Sequence, residues 1–201
     1  MRFSSRKALL AVVLAVLGAA MCAGRSWCAG GDRNLERLME PRVSTLWIDG
    51  QVFDDLVLNA RGKLTLICID GKLGRALRQR RERDSDMGPS VGIPSAFWLY
   101  ANQYGRSGRV LFAAQLDSFK SLSFDPERLS VAGYRIEASG MLTGVGSDPS
   151  LEIRPGVKDL GGGYSGHMGF YVPSEYVKPG TEVTISYDGF STVWRVPAKN
   201  Q

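Results

Sequence analysis

The sequence predicts a mainly β fold: an antiparallel β-sandwich, Ig-like or otherwise, or a small barrel, with one or two short helices. Two observations carry this expectation. Several short runs alternate apolar and polar residues with period two, the pattern of strands with one buried face. Between them stand turn dipeptides, Asp49-Gly50, Asp70-Gly71 and Asp188-Gly189 among them, of the kind that reverses strand pairs tightly.

The first residues read as a separate segment. Arg2, Arg6 and Lys7 precede an unbroken small and apolar stretch, Ala8–Ala20, followed by small residues in "MCAGRSWCAGG". A charged start, a short apolar run and a small-residue cleavage region make a secretory signal peptide, expected over residues 1–29. The apolar run falls short of the roughly 20 residues a membrane span needs, so no transmembrane span is expected once the signal is removed. The remaining residues, 30–201, read as a single β-rich globular domain. Its expected localisation is periplasmic or extracellular.

Export changes the electrostatics. The whole chain has net charge +5. Residues 1–29 hold four cations, Arg2, Arg6, Lys7 and Arg25, and no acid, so the mature chain falls to +1. The basic isoelectric point therefore belongs to the precursor, and no nucleic-acid partner is expected, since that requires a basic domain or face.

Along the mature chain, "NLERLMEP" (Asn34–Pro41) reads as a short helix stopped by Pro41. The runs "RVSTLWI" and "QVFDDLVLN" read as strands joined by a tight turn at Asp49-Gly50. "KLTLICI" follows and ends at Asp70-Gly71. "SAFWLYANQYG" (Ser95–Gly105) is open between a short helix starting near Ser95 and a buried strand. In "YRIEAS", Tyr134, Ile136 and Ala138 share one face. In "TEVTISY", Val183, Ile185 and Tyr187 do. In "FSTVWRV", Phe190, Thr192, Trp194 and Val196 do. Asp188-Gly189 between the last two is a hairpin signal, because a type I′ turn needs positive φ at both central residues. "FDPER" and "VKPGTE" read as turns, and "GVGSDPS" and "DLGGGYSG" as loops.

The motifs that could carry chemistry are weak. "GGGYSG" (Gly161–Gly166) has the spacing of a dinucleotide fingerprint, but a strand-like "HMGFYVP" follows where a helix is required. His167 is the chain's single histidine, and it reads as a loop residue. Alone, it leaves zinc short of ligands, and no G-x-S-x-G elbow includes it. "DSDMG" (Asp84–Gly88) lacks the later ligands of a calcium loop. Cys68, in an apolar run, reads as a buried structural thiol. The carboxylates Asp49, Asp70 and Asp188 fit turns better than a catalytic group. No cofactor and no metal are expected.

One segment is unusual. In "GKLGRALRQRRERDSD", Lys72, Arg75, Arg78, Arg80, Arg81 and Arg83 stand against the single acid Glu82 as far as Arg83. That segment, an Arg-rich insert at about 72–84, carries +5 over 72–83, so the rest of the mature chain is −4. Helix formers dominate it, and Leu73 and Leu77 would share a face that ties it to the core. Arg75, Arg78, Arg80, Arg81 and Arg83 are the candidate ligand-binding residues, for an anionic envelope component or an acidic protein, because the guanidinium fork matches phosphate and carboxylate. The functional expectation is an exported, non-enzymatic binding or structural module of the cell envelope. The alternatives are a carboxylate-dependent hydrolase acting on envelope glycans, or a peripheral binder of anionic lipid or glycan through this segment.

Overall fold

The computed structural model describes residues 33–53, 56–83, 95–105 and 108–198. The expected signal segment and the Asp84–Gly88 stretch lie outside the described residues.

Helix α1 (Arg33–Met39) runs into a 3-10 turn, Glu40–Arg42. Pro41 sits in the first turn of that 3-10 segment, where a missing N–H is tolerated. Strand β1 (Val43–Ile48) follows. Its partner is β4 (Gly62–Ile69), with Val43 opposite Ile67 and Ile48 opposite Gly62. The residues between them make a small hairpin of their own, β2 (Gln51–Phe53) with β3 (Leu56–Leu58). The expected reversal at Asp49-Gly50 is therefore corrected. Asp49 does take positive φ, 57°, but the turn marks where the chain leaves the sheet, and the runs on either side of it do not pair. The long apolar face of β4 is what β1 can bury against.

Asp70-Gly71 is corrected too. It reverses no strand pair and instead opens helix α2 (Gly71–Arg83). Asp70 Oδ1 accepts from the Leu73 amide at 2.8 Å and the Lys72 amide at 3.0 Å, the bonds of an N-cap aspartate. The ambiguous stretch at Ser95 is helical, as α3 (Ser95–Tyr100).

The remaining strands are β5 (Arg109–Ser118), β6 (Leu122–Phe124), β7 (Leu129–Val131), β8 (Tyr134–Arg135), β9 (Met141–Leu142), β10 (Lys158–Leu160), β11 (Ser165–Pro173), β12 (Glu182–Tyr187) and β13 (Phe190–Arg195). They form a five-stranded sheet in the order β1-β4-β5-β11-β9, a four-stranded sheet in the order β13-β12-β7-β8, and two short ribbons, β10-β6 and β2-β3. All named strand pairs are antiparallel. The fold is mainly β, with two facing antiparallel sheets and a few short helices.

The large sheet has two covered faces. On one, Leu64, Leu66 and Cys68 of β4, Phe112 and Ala114 of β5, and Met168 and Phe170 of β11 pack against Ile185 and Tyr187 of β12 and Trp194 of β13. Phe112 stacks on Phe170 at 5.6 Å and meets Trp194 edge-on at 5.8 Å, so one ring bridges the sheets. On the other face, Ile67, Ile69, Leu111, Ala113 and Tyr171 pack against Leu35, Met39, Leu73, Leu77, Phe97 and Tyr100 from the helices. This helical layer explains why "KLTLICI" is apolar without alternation: both faces of β4 are buried, so period two is lost. It also explains why β5, the central strand, carries no alternating signature.

The alternating runs behave as expected where one face meets water. Val183, Ile185 and Tyr187 are buried, as are Trp194 and Val196. "YRIEAS" departs from the pattern: β8 ends at Arg135, Ile136 is buried, and Ala138 is exposed at the start of a 3-10 turn.

At the last hairpin Asp188 and Gly189 have φ of 48° and 90°, and Tyr187 faces Phe190 across the turn. Gly189→Val should lower stability by roughly 1–2 kcal/mol, the cost of left-handed geometry for a residue with a Cβ, aggravated by branching. A chemical-denaturation midpoint equal to wild type would contradict the turn assignment.

Gly169 of β11 lies under the Tyr100 ring, which an added Cβ would overlap. Tyr100 is fully buried and cannot swing into solvent. Gly169→Ala should therefore destabilise by about 1–3 kcal/mol through overpacking, read as a lowered thermal midpoint.

Candidate functional site

The cationic segment folds as α2, and the structure divides its side chains between different surroundings. Leu73 and Leu77 are fully buried against the helical layer, as the sequence predicts. Each contributes roughly 1.5–3 kcal/mol of burial. Gly74 is buried as well, because the Tyr104 ring lies directly on the helix backbone there and a Cβ would overlap it. That ring, in turn, takes Arg78: the guanidinium lies over it at 4.8 Å and donates to the Tyr104 hydroxyl. Arg78 is thus engaged within the chain. Arg80 is half-buried and also has a partner. Arg81 and Arg83 belong to α2 by backbone, and their side chains lie outside the described residues.

Arg75 goes elsewhere. It is exposed, and its guanidinium folds back over the start of α2: a Cβ on Gly71 would stand 3.4 Å from its Nη1. There it joins Lys72 on the rim of a cleft of about 330 Å³. The candidate arginines are therefore divided, with Arg75 at the cleft and Arg78 on Tyr104.

The cleft has a rigid base. Arg42 is 2% exposed, and its Nε and Nη2 both bond Asp70 Oδ2, at 2.9 and 2.7 Å. Its Nη1 bonds the Leu38 carbonyl at 2.7 Å. Asp70 uses its other oxygen to cap α2. The walls are apolar, from Val110, Val177, Val196 and Pro179. A concave, mainly apolar site with a few placed polar groups, at the small end of the roughly 300–1,000 Å³ usual for ligand pockets, is the ordinary form of a binding site.

Cys68 also lines this cleft. Burial, reinforced by the Asp70 carboxylate and opposed by Arg42, pushes its thiol up to about 12. A reactive thiol needs the opposite shift, so Cys68 serves as a small apolar wall residue.

The structure moves His167 out of the loop the sequence assigns it. It lies in β11 and is 6% exposed. The alternation of β11 sends His167 to the helical side of the sheet, whereas Cys68 of β4 faces the other sheet, so the two cannot form a thiol–imidazole pair. His167 Nδ1 instead shares a 3.0 Å hydrogen bond with the Tyr100 hydroxyl. Gly146 leaves room for the ring, since a Cβ there would stand 2.9 Å from Nε2. Glu152, equally buried, accepts from Arg154 Nε at 2.9 Å and from the Val145 amide at 3.3 Å. The Asp49, Asp70 and Asp188 carboxylates pair separately with Arg61, Arg42 and Arg128. They form no joint site.

Sequence reasoning missed Arg42, the Tyr104 perch and the valine walls. A lone arginine after a proline gives no local signal of burial, and the walls come from three distant segments.

No known family model matches this chain, and no curated protein or solved structure is significantly similar to it.

Burial lowers the pKa of His167 below its ordinary 6.5, against the opposing pull of Glu152 and Asp148. The unfolded chain therefore binds the proton first as pH falls. The contribution of the neutral ring to stability is whole above pH 6.5 and is lost as pH drops through the folded value. Asp148, held by Ser150, and Glu152, which burial alone would raise, are both net lowered, and their contributions fail only in the more acid carboxylate range. Because the chain has one histidine, His167→Gln should flatten the stability profile on the acid side of pH 6.5, measured by thermal midpoints as pH falls from that value. An unchanged slope would assign it to other groups.

Proposed function

We propose that the chain is an exported, non-enzymatic binding module of the cell envelope that holds an anionic lipid headgroup in the cleft at the base of α2. The observation that carries this reading is the pairing of Lys72 and Arg75 on the rim with apolar walls behind them. A charged rim over an apolar wall suits an amphiphile whose head is anionic and whose adjoining stem is apolar. The sign follows from the concentration of cations in 72–83, set against a remainder that is net acidic.

Binding without catalysis is supported by the state of the one thiol in the cleft, which burial keeps protonated. Arg42 and Asp70, the polar pair of the base, are committed to each other, to the Leu38 carbonyl and to the first amides of α2. Export, to the periplasm or the outside of the cell, rests on the charged and apolar layout of residues 1–29. Among the described residues no helix is long and apolar enough to cross a membrane.

The test is flotation with vesicles of phosphatidylglycerol against vesicles of phosphatidylcholine. The wild type should be retained on the first only, and less as salt rises, since exposed charges are screened over about 8 Å at physiological ionic strength. Reversal of both cleft cations, Lys72→Glu with Arg75→Glu, should weaken retention at least about tenfold, given roughly 1 kcal/mol per basic residue at an anionic surface. Arg78→Glu should cost less, because Arg78 is already engaged by Tyr104. Equal retention of wild type and the double variant at low salt would refute the assignment.

A further inference from the structure

A larger concavity than the cleft lies far from α2 in sequence. It is a groove of about 940 Å³ where β8, the 3-10 turns around Pro126 and Ala138, and the turn at Tyr176 meet. A second hollow of about 500 Å³, lined by Arg128, Ser130 and Asp188, shares Gly133 and Arg135 with it. The two make one open channel across the edge of the four-stranded sheet.

Four features of the channel define what it can hold. Its aromatic surface is a pair, Tyr134 and Tyr176, with centroids 5.3 Å apart and planes at 49°. Tyr176 is 41% exposed, so a ring is presented to solvent inside a concavity. Hydrogen-bonding groups stand beside it: the Glu127 and Glu137 carboxylates, Ser139 and the Arg135 guanidinium. Arg135 Nε is fixed on the Glu127 carbonyl at 2.8 Å, which holds the guanidinium in place. Acids outnumber bases along the channel: Asp125, Glu127, Glu137 and Asp188 line it with Arg135 and Arg128, and Arg128 pairs with both Asp125 and Asp188, which leaves Glu127 and Glu137 to disfavour an anionic occupant. The frame is also rigid. Ala132, at φ 53°, and Gly133, at 81°, form the β7–β8 turn, and the Ala132 amide is tied to Thr184 O at 2.8 Å. Asp125 caps the neighbouring 3-10 turn through the Glu127 amide at 3.0 Å.

An extended peptide is a poor occupant. Peptides that dock at sheet edges add main-chain hydrogen bonds along a strand, and the edge strand here, β8, has only two residues. A small apolar molecule is poorer still, because the groove is open and polar rather than enclosing. A chain of neutral sugars meets each feature. Its C–H faces stack on an exposed ring, its hydroxyls pair with carboxylate and guanidinium, and its length suits two adjoining open hollows.

We propose that this channel binds a neutral glycan strand, with Tyr176 as the stacking platform and Glu127, Glu137 and Arg135 as partners of sugar hydroxyls. This site is independent of the cleft at α2, and its ligand is neutral where that of the cleft is anionic.

Isothermal titration of the full mature chain with chitohexaose, cellohexaose and maltohexaose tests it, with glucose and hexalysine as controls. At least one hexasaccharide should bind, glucose should bind far more weakly, and hexalysine should not compete. Tyr176→Ala should weaken the hexasaccharide about tenfold, the upper range of one aromatic contact. The isosteric pair Glu127→Gln and Glu137→Gln, which leave the fold's volume unchanged, should each weaken it several-fold. Phosphatidylglycerol retention should be untouched by all three, which separates this proposal from the cleft at α2. Silence with every hexasaccharide, displacement by hexalysine, or full affinity in the Tyr176 and glutamate variants would overturn it.

Discussion

Arg42 is a guanidinium almost without access to water, and the helical layer is arranged around it. Its Nη1 bonds the carbonyl of Leu38, and its Nε and Nη2 bond one oxygen of Asp70. The other oxygen of Asp70 caps α2. One side chain thus joins the end of α1, the end of β4 and the start of α2. Removing one partner of a buried ion pair typically costs about 3–5 kcal/mol, because the other charge is left uncompensated. The pair is weak evidence for stability relative to an apolar replacement. Its consequence here is geometric: it determines where the first turn of α2, and with it Lys72 and Arg75, stands relative to the sheet.

The second constraint is that the five-stranded sheet is buried on both sides. One side takes the small sheet, with Phe112, Phe170 and Trp194 at the contact. The other takes the helices, and glycines at 74 and 169 let aromatic rings approach the backbone. Strand alternation sorts the chemistry between these faces. Cys68 goes to the side of the facing sheet. His167 goes to the helical side, where Tyr100 supplies the hydrogen bond that a buried imidazole requires.

Charge is divided as sharply as the faces. Lys72 and Arg75 of α2 border a cleft with apolar walls, and the open channel at the β7–β8 edge carries an excess of carboxylates. Under the two proposals made above, concavities of opposite sign would hold two unlike ligands, a lipid headgroup at one and a glycan strand at the other.

The sequence determined what depends on neighbouring residues. Asp188-Gly189 is a hairpin because both residues accept positive φ and the flanking runs alternate. Leu73 and Leu77 form a stripe because a helix repeats every 3.6 residues. Other outcomes depended on what lay across the fold. Three Asp-Gly dipeptides with the same local chemistry became a hairpin turn, a departure from the sheet and a helix cap, according to which strand each neighbour found to pair with. The arginines of α2 are plain in the sequence, but the rings and walls they meet come from Tyr104, Val110, Val177 and Val196. The channel residues Glu127, Tyr134 and Tyr176 give no local sign of meeting. Backbone preference and periodicity act over a few residues and can be read along the chain. The burial of Arg42, the position of His167 and the two concavities are contacts between distant segments, and only the packed tertiary structure decides them.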